Sequence, residues 1–187
     1  MYYAGPNQVN YYVPTKAQLG PATITVTSGD GAQTTGTVLV APVAPGLFTA
    51  NASGQGAAAA LAICAGVCAG WPNLQPNGQY VQDAFTCSSA GCAPQPLGMG
   101  SSDTVVVEFF GTGFRHISST GALTVQIKGQ SVPYQYAGAQ GDIGLDQLNV
   151  QLPNSLPGSG LVNLVLSVQD TVDNVSVTSN TVTLNIQ

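Results

Sequence analysis

The sequence predicts an all-β protein assembled from β-sandwich modules. Apolar and polar residues alternate with a period of two in most segments, for example at 23–27, as they do in a strand with one buried face. Turn-forming residues are frequent, with 23 glycines and 12 prolines in 187 residues. A sequence segment that predicts strands separated by turns also occurs twice, which is typical of an array of modules.

The repeat relates the beginning of the chain to its end. In both copies, Tyr-Ala-Gly is followed by Gln-hydrophobic-Asn, by a hydrophobic-Pro pair and by a glycine that begins a strand. The matching residues are Tyr3-Ala4-Gly5 with Tyr136-Ala137-Gly138, Gln8-Val9-Asn10 with Gln147-Leu148-Asn149, Val13-Pro14 with Leu152-Pro153, and Gly20 with Gly160. The strand at 35–40 has its counterpart at 179–184. We therefore interpret the chain as a duplicated β-unit whose loops differ in length.

Further strands follow from local patterns. Residues 24–27 and 34–40 flank a glycine-rich segment at 28–31, which predicts a hairpin because glycine reaches positive φ in a tight turn. The alternating segment at 123–128 runs into a second tight turn around Gly129. Residues 105–110 are almost all β-branched or aromatic, so we expect a central strand with both faces covered.

Four cysteines lie close together in an insertion at 64–99 that interrupts the strand pattern. They are Cys64, Cys68, Cys87 and Cys92. Their spacing fits a zinc site less well than disulfides, because zinc ribbons favour shorter Cys-x2-Cys knuckles. We expect the local pairs 64–68 and 87–92, with the nested pairs 64–92 and 68–87 as the alternative.

The same insertion contains the only tryptophan, Trp71. The first interpretation is that Trp71 fills a small local core stapled by the disulfides, because long loops in compact domains need such support. The alternative is an exposed ligand contact, in which Trp71, Tyr80 and Phe85 offer aromatic rings to a glycan.

Charged residues are scarce, at 6% of the chain against about 25% in typical domains. Three cations and eight acids give a net charge of −5. So few cations exclude binding to nucleic-acid phosphates and to anionic membrane surfaces. No apolar run is long enough to insert into a membrane. Low charge, richness in Asn, Ser and Gly, and an even number of cysteines indicate an exported protein, located extracellularly or at the cell surface.

The sequence offers no catalytic, cofactor-binding or metal-binding set. His116 is the only histidine, and no Gly-x-Ser-x-Gly nucleophile elbow accompanies it. Two acidic pairs, at 142/146 and 170/173, leave calcium as an alternative without the spacing of an EF-hand. We therefore expect no enzyme, no cofactor and no metal site.

The repeated phrase and several segments between its copies resemble one protein family. The matching segments are 8–14, 20–27, 44–49, 54–58, 111–113, 136–138, 144–153 and 179–184, in the same order and at similar spacing. The chain is similar to an uncharacterised C-terminal region found in secreted proteins of soil Acidobacteria, above all Solibacter relatives. The resemblance covers nearly the whole chain, except the cysteine-rich insertion.

The resemblance implies tandem immunoglobulin-like (IPT/TIG-like) sandwich units. We expect a partial unit at 1–43 and a second unit at 44–187 with the insertion at 64–99. A full family member begins with a further strand pair before Tyr2, so the first unit is expected to be incomplete. A sandwich that lacks its opening strands leaves an open sheet edge. We expect that edge to be a strand-exchange site, formed by Tyr2, Tyr3, Val9, Tyr11 and Val13.

These features favour a non-catalytic structural or adhesive module at the C-terminal end of a larger exported protein. The expected partners are other copies of the chain or upstream domains of the parent protein, with extracellular polysaccharide as a further candidate. The alternative function is a carbohydrate- or protein-binding β-sandwich module.

Overall fold

A computed structural model describes residues 3–117, 122–170 and 172–187. Every regular element in these residues is a β-strand, so the prediction of an all-β protein is confirmed. The described residues include no helix that could cross a lipid bilayer. The chain divides into two compact units, unit 1 (Met1–Pro42) and unit 2 (Val43–Gln187). This boundary lies one residue before the one that the sequence predicts.

Unit 1 consists of two hairpins. Its strands are β1 (Tyr3–Gly5), β2 (Gln8–Asn10), β3 (Gly20–Thr27) and β4 (Gln33–Val40). Strands β1 and β2 form one two-stranded sheet, and β3 and β4 form another. The turn between β3 and β4 lies where the glycine-rich segment predicts it, and the Ala32 N–H donates to the Asp30 carboxylate at 3.1 Å. No described residue of unit 1 is buried.

Unit 2 contains the remaining strands. They are β5 (Gly46–Leu47), β6 (Gly56–Ala57), β7 (Ala60–Ala65), β8 (Asn73–Leu74), β9 (Tyr80–Asp83), β10 (Phe85–Ser88), β11 (Gly91–Pro94), β12 (Pro96–Leu97), β13 (Thr104–Thr112), β14 (Leu123–Ile127), β15 (Gln130–Val132), β16 (Tyr134–Ala139), β17 (Asp146–Gln151), β18 (Gly160–Asp170), β19 (Val175–Thr178) and β20 (Val182–Ile186).

Two seven-stranded sheets make up most of unit 2. The first, sheet A, has the order β16-β17-β13-β7-β9-β8, with β5 beside β13. The second, sheet B, has the order β12-β20-β18-β14-β15, with β19 beside β18 and β6 beside β20. Strands β6 and β12 run parallel to β20, and the other pairs in both sheets are antiparallel. The inward residues of the two sheets form one hydrophobic core, as in a β-sandwich.

Alternation along the strands builds this core. Phe109 of β13 and Leu148 of β17 are buried from sheet A, and Leu166 of β18 and Leu184 of β20 are buried from sheet B. Strand β13 lies centrally in its sheet, as its β-branched run predicts. The expectation that both of its faces are covered is wrong, because the residues that alternate with its buried ones are only half-buried.

The insertion at 64–99 is more regular than the sequence suggests. Strand β9 pairs with β7 and so belongs to sheet A, whereas β12 pairs with β20 and belongs to sheet B. Strands β10 and β11 form a separate hairpin. The Gln82 amide of β9 donates to the carbonyl of Pro96 in β12 at 3.0 Å. The insertion therefore contributes to both layers instead of forming a separate irregular loop.

Candidate functional site

The first hairpin of the repeat has the same register in both copies. In β1–β2, Tyr3 lies opposite Asn10 and Gly5 opposite Gln8. In β16–β17, Tyr136 lies opposite Asn149, and Gly138 lies opposite Gln147. The duplicated sequence therefore forms the same local pairing twice.

The conserved spacing of tyrosine and glycine within the two copies has a steric reason. A methyl group added to Gly138 would lie 3.0 Å from the Tyr136 hydroxyl oxygen. A methyl group added to Gly5 would also meet the side chain of Tyr3. Each tyrosine side chain thus extends over the glycine two residues later, and any Cβ there would displace it.

The second hairpin is also shared. In β3–β4 the opposed pairs are Gly20 with Val40, Ala22 with Val38 and Ile24 with Gly36. Their counterparts β18 and β20 also pair antiparallel, with Gly160 opposite Ile186, Val162 opposite Leu184 and Leu164 opposite Val182. Because Val40 corresponds to Leu184, the register of this second pair differs by two residues between the copies. A glycine with positive φ begins the first strand in each copy, at +111° for Gly20 and +66° for Gly160. The four strands of unit 1 thus have counterparts that pair with each other in unit 2, with the same register in the first hairpin and a register shifted by two residues in the second.

The two copies differ in what lies beside them. Strand β17 pairs on its second side with β13, and the Leu152 N–H just beyond β17 donates to the Val105 carbonyl at 2.8 Å. Strand β2 belongs to a two-stranded sheet and pairs with β1 alone. Strand β17 continues for six residues, whereas β2 has three. Without a second neighbour, β2 leaves its outer edge open and is shorter than β17.

The open edge exposes the residues that the sequence singles out. Val9, Tyr11 and Val13 are 36%, 51% and 44% exposed, whereas the counterpart of Val13, Leu152, is 1% exposed. Tyr3 is exposed as well. Val9 lies in β2, and Tyr11 and Val13 follow it outside any strand. Tyr2, the remaining residue of the predicted strand-exchange edge, lies outside the described residues.

The cysteines form the two local disulfides, Cys64–Cys68 and Cys87–Cys92. Cys64 and Cys68 are both buried in the core of unit 2. Cys87 and Cys92 lie opposite each other in the β10–β11 hairpin, where Cys87 is exposed. The first disulfide therefore belongs to the sandwich interior, and the second closes a surface hairpin.

The aromatic residues of the insertion do not form an exposed stacking surface. Trp71 is only 6% exposed, and its indole N–H donates to the Gly98 carbonyl at 2.7 Å. Tyr80 is half-buried against the core, and Phe85 is half-buried on the β10–β11 hairpin. The alternative in which Trp71, Tyr80 and Phe85 contact a glycan is therefore wrong for Trp71, because its ring is buried in the core and has no exposed face.

Asp103 holds this part of the core together, a role that the sequence analysis missed. Its carboxylate accepts N–H groups from Val67 at 2.9 Å, Cys68 at 3.2 Å and Gly100 at 2.9 Å. These hydrogen bonds hold the pKa of Asp103 below its ordinary value, and the bond from the Gly100 N–H has the largest effect. The only sequence signal for this role is the glycine-rich turn that precedes Asp103.

The Asp103 carboxylate lies close to the sulfurs of Cys64 and Cys68, with all three donor atoms within 4.8 Å of one another. The donor set does not fit a metal ion, however. Both sulfurs are committed to the disulfide, and thiolates are the form that binds metals. The carboxylate oxygens already accept three backbone N–H groups, so this cluster is a structural one.

One carboxylate of each acidic pair considered for calcium is engaged in local structure. Asp146 is buried and forms an ion pair with Arg115 at 2.5 Å, and it accepts the Phe114 N–H at 2.9 Å. Asp170 is buried and accepts the Val172 N–H at 2.8 Å. Each aspartate thus fixes a loop through backbone N–H groups, as Asp103 does.

His116 directly follows Arg115 in the chain, and its side chain is exposed. Within the part of the chain that the structure describes, no hydrogen bond or ion pair joins His116 to a carboxylate or a hydroxyl. The serines that follow it, at 118 and 119, lie outside the described residues. The described contacts of His116 therefore supply no catalytic arrangement.

A groove of about 840 Å³ lies beside β15 and β16, where the edge strands of the two sheets follow each other in the chain. Apolar and polar side chains line it together, among them Ile117, Ser131, Tyr134, Gln135 and Tyr136. Tyr136 is exposed, and its hydroxyl donates to the Ala139 carbonyl at 2.5 Å. The groove therefore combines an aromatic ring that is fixed by a hydrogen bond with amide and hydroxyl groups.

No protein-family model, curated protein or solved structure matches this chain. The family resemblance of the repeated phrase accordingly stays a prediction. Inference about function depends on the contacts described above.

Proposed function

We propose that this chain is a non-catalytic structural or adhesive module of an exported bacterial protein and that it assembles through the open edge of unit 1. One observation carries the proposal. Strands β1–β2 repeat the register of β16–β17, and β3–β4 have their counterparts in the antiparallel pair β18–β20, yet no described residue of unit 1 is buried. In unit 2, the counterparts β17, β18 and β20 each pair with a strand on both sides.

An uncovered pair of hairpins needs a partner for energetic reasons. Isolated two-stranded hairpins are at best marginally stable in water, because they bury too little apolar surface to offset the loss of chain entropy. Strand β3 has an apolar side formed by Ala22, Ile24 and Val26, which is only partly covered. Pairing with further strands would supply the missing hydrogen bonds and the missing cover.

Composition and disulfides support an extracellular or cell-surface location. Two disulfides fit an oxidising compartment, and a chain with 6% charged residues relies on neutral polar groups for solubility. The finer part of the proposal is that the chain belongs to the acidobacterial C-terminal family, with tandem immunoglobulin-like units of which the first is incomplete. Its partners would be other copies or upstream domains of the parent protein.

Binding and light-scattering measurements on the purified chain test this function. We expect either a mass above that of the monomer or retention on bacterial cell envelopes or extracellular polysaccharide. A chain that stays monomeric and binds neither material would remove the support for an assembly or adhesive role. Hydrolysis of an ester, peptide or glycoside substrate, abolished by His116→Ala, would contradict the non-catalytic part.

A second candidate function is carbohydrate or protein binding at the groove beside β15 and β16. The observation that favours it is the exposed Tyr136 ring next to Gln135 and Ser131, because sugars bind to aromatic faces flanked by hydrogen-bonding groups. A glycan array tests it with Tyr136→Ala. Tyr3→Ala is the matched control, since Tyr3 has the same position over a glycine in unit 1. Loss of binding in Tyr136→Ala alone would support the groove.

A further inference from the structure

We propose that the partner of the open edge is a second copy of this chain, and that β2 pairs antiparallel with β2 of that copy about a two-fold axis. This inference rests on the assembly function proposed above and names its partner and its contact. It follows from the pairing of β17, from the sequence of the edge and from its charge.

The copy in unit 2 shows what kind of strand fits the edge. Strand β13 runs antiparallel to β17 and places Phe109 opposite Leu148 and Val107 opposite Val150. The complementary strand is therefore extended, antiparallel and apolar at every second residue. The edge of unit 1 meets this description itself, with apolar side chains at Val9, Tyr11 and Val13.

Backbone polarity restricts how two such edges meet. The N–H of Leu152 points towards β13, and alternate residues of an antiparallel strand direct their N–H groups to the same side. Strands β1–β2 and β16–β17 have the same register, so the equivalent N–H groups in unit 1 point away from β1. These are the N–H groups of Val9, Tyr11 and Val13. Hydrogen bonding between two copies therefore places odd-numbered residues opposite odd-numbered ones. The registers centred on Asn10 and on Tyr11 place Val9 opposite Tyr11 and opposite Val13, respectively. In both registers β2 extends beyond Asn10 and approaches the length of β17.

The charge of the edge permits contact between identical chains. Residues 3–13 include no charged side chain, and the only charges among the described residues of unit 1 are Lys16 and Asp30. Natural edge strands usually carry lysines or other charges that prevent pairing with another chain. This edge lacks that protection, and two identical copies meet without repulsion. A symmetric contact of one patch with itself is also the commonest form of oligomer.

Charge variants at the edge provide the test. The test uses two double variants, Val9→Lys/Tyr11→Lys and Val9→Glu/Tyr11→Glu. Each variant brings like charges together across the β2–β2 contact in either register. We expect a wild-type dimer by light scattering, and a dissociation constant raised by about tenfold or more in each variant alone. An equimolar mixture of the two variants should restore the dimer, and added salt should weaken the restored dimer.

Thr35→Lys/Thr37→Lys is the matched control, because both threonines are exposed on β4 away from the edge. It should dimerise like the wild type. Restoration in the mixture shows that the edge variants retain a competent fold. A wild-type monomer, dimers that resist both edge variants, or dimers lost in the Thr35/Thr37 control would each overturn β2–β2 pairing.

The result also separates this inference from the assembly function. A wild-type chain that binds cell envelope as a monomer, or whose oligomer is unaffected by the edge variants, refutes the β2–β2 contact and assembly through that edge. Both outcomes leave the structural or adhesive role of the module standing. A monomer with no binding to envelope or polysaccharide refutes both.

Discussion

The two copies of the repeat form the same strand pairs, with an identical register in the first hairpin, but lie in opposite environments. Strands β16–β17 and β18–β20 lie within two seven-stranded sheets, whereas β1–β2 and β3–β4 are isolated hairpins. Leu148 is buried and its counterpart Val9 is exposed, although both lie opposite an alanine in a hairpin of the same register. Local sequence therefore specifies the hairpin, and neighbouring strands decide whether its apolar residues form a core.

Paired truncations probe this difference most strongly. Leu148→Ala should reduce the free energy of unfolding by about 2–5 kcal/mol, because it leaves a cavity in a closed core. Val9→Ala, measured at a dilution where the chain is monomeric, should change it by no more than about 0.5 kcal/mol. Urea unfolding of both variants provides the comparison. Equal losses would mean that the edge of unit 1 is covered after all.

Hydrogen exchange sharpens the comparison at the level of single amides. The Leu152 N–H bonds to the Val105 carbonyl and should exchange only when sheet A opens. The N–H of its counterpart Val13 should exchange nearly as fast as in an unfolded chain in dilute solution. Protection of Val9, Tyr11 and Val13 that rises with protein concentration would report strand pairing between copies. Strong protection at low concentration would contradict an open edge.

Two aspartates extend the comparison to charge. Asp103→Asn in unit 2 should lower the free energy of unfolding at pH 7 by about 1–3 kcal/mol, because buried N–H groups lose an acceptor. The pKa of Asp103 lies below its ordinary value of 3.8, so its contribution is present above that pH and is lost as the pH falls through the lowered pKa.

Unfolding measured between pH 7 and pH 2 checks this sign. Asp103→Asn should flatten the acid limb of the stability curve, and Asp83→Asn, which alters an exposed carboxylate on β9, should leave it unchanged. A wild-type curve without an acid limb, or an equal effect of both variants, would contradict the role of Asp103.

The smallest effect is expected at the β3–β4 turn. The Ser28 hydroxyl and the Ala32 N–H lower the pKa of Asp30, but this carboxylate is exposed to solvent. Asp30→Asn should therefore leave the unfolding midpoint unchanged within error, because solvent screens an exposed charge. A clear shift of the midpoint would indicate that the turn is covered by a partner.

Part of the fold is predictable from short-range patterns. The turn at Lys128 and Gly129 forms where the sequence indicates it, with positive φ at both residues. Strand β4 (Gln33–Val40) forms over the predicted segment 35–40, whereas β20 begins at Val182, three residues after the start of the predicted segment 179–184. These features depend on side-chain alternation and on glycine conformation, which a few adjacent residues determine.

The insertion and the charged groups are less predictable. Strands β9 and β12 carry weak alternation, and they form because β7 and β20 offer open edges beside them. The ion pair of Arg115 with Asp146 joins residues far apart in the chain, and no local pattern indicates it. The burial of Trp71 likewise depends on Gly98, which lies beyond the β10–β11 hairpin.

The sequence by itself determined an all-β chain, its duplicated hairpins and the residues along the edge of β2. Only the tertiary structure decided that Leu148, Val150 and Leu152 are buried while Val9, Tyr11 and Val13 are not. The physical reason is that strand pairing and alternation are local properties, whereas burial requires a second strand and an opposing sheet supplied by distant parts of the chain.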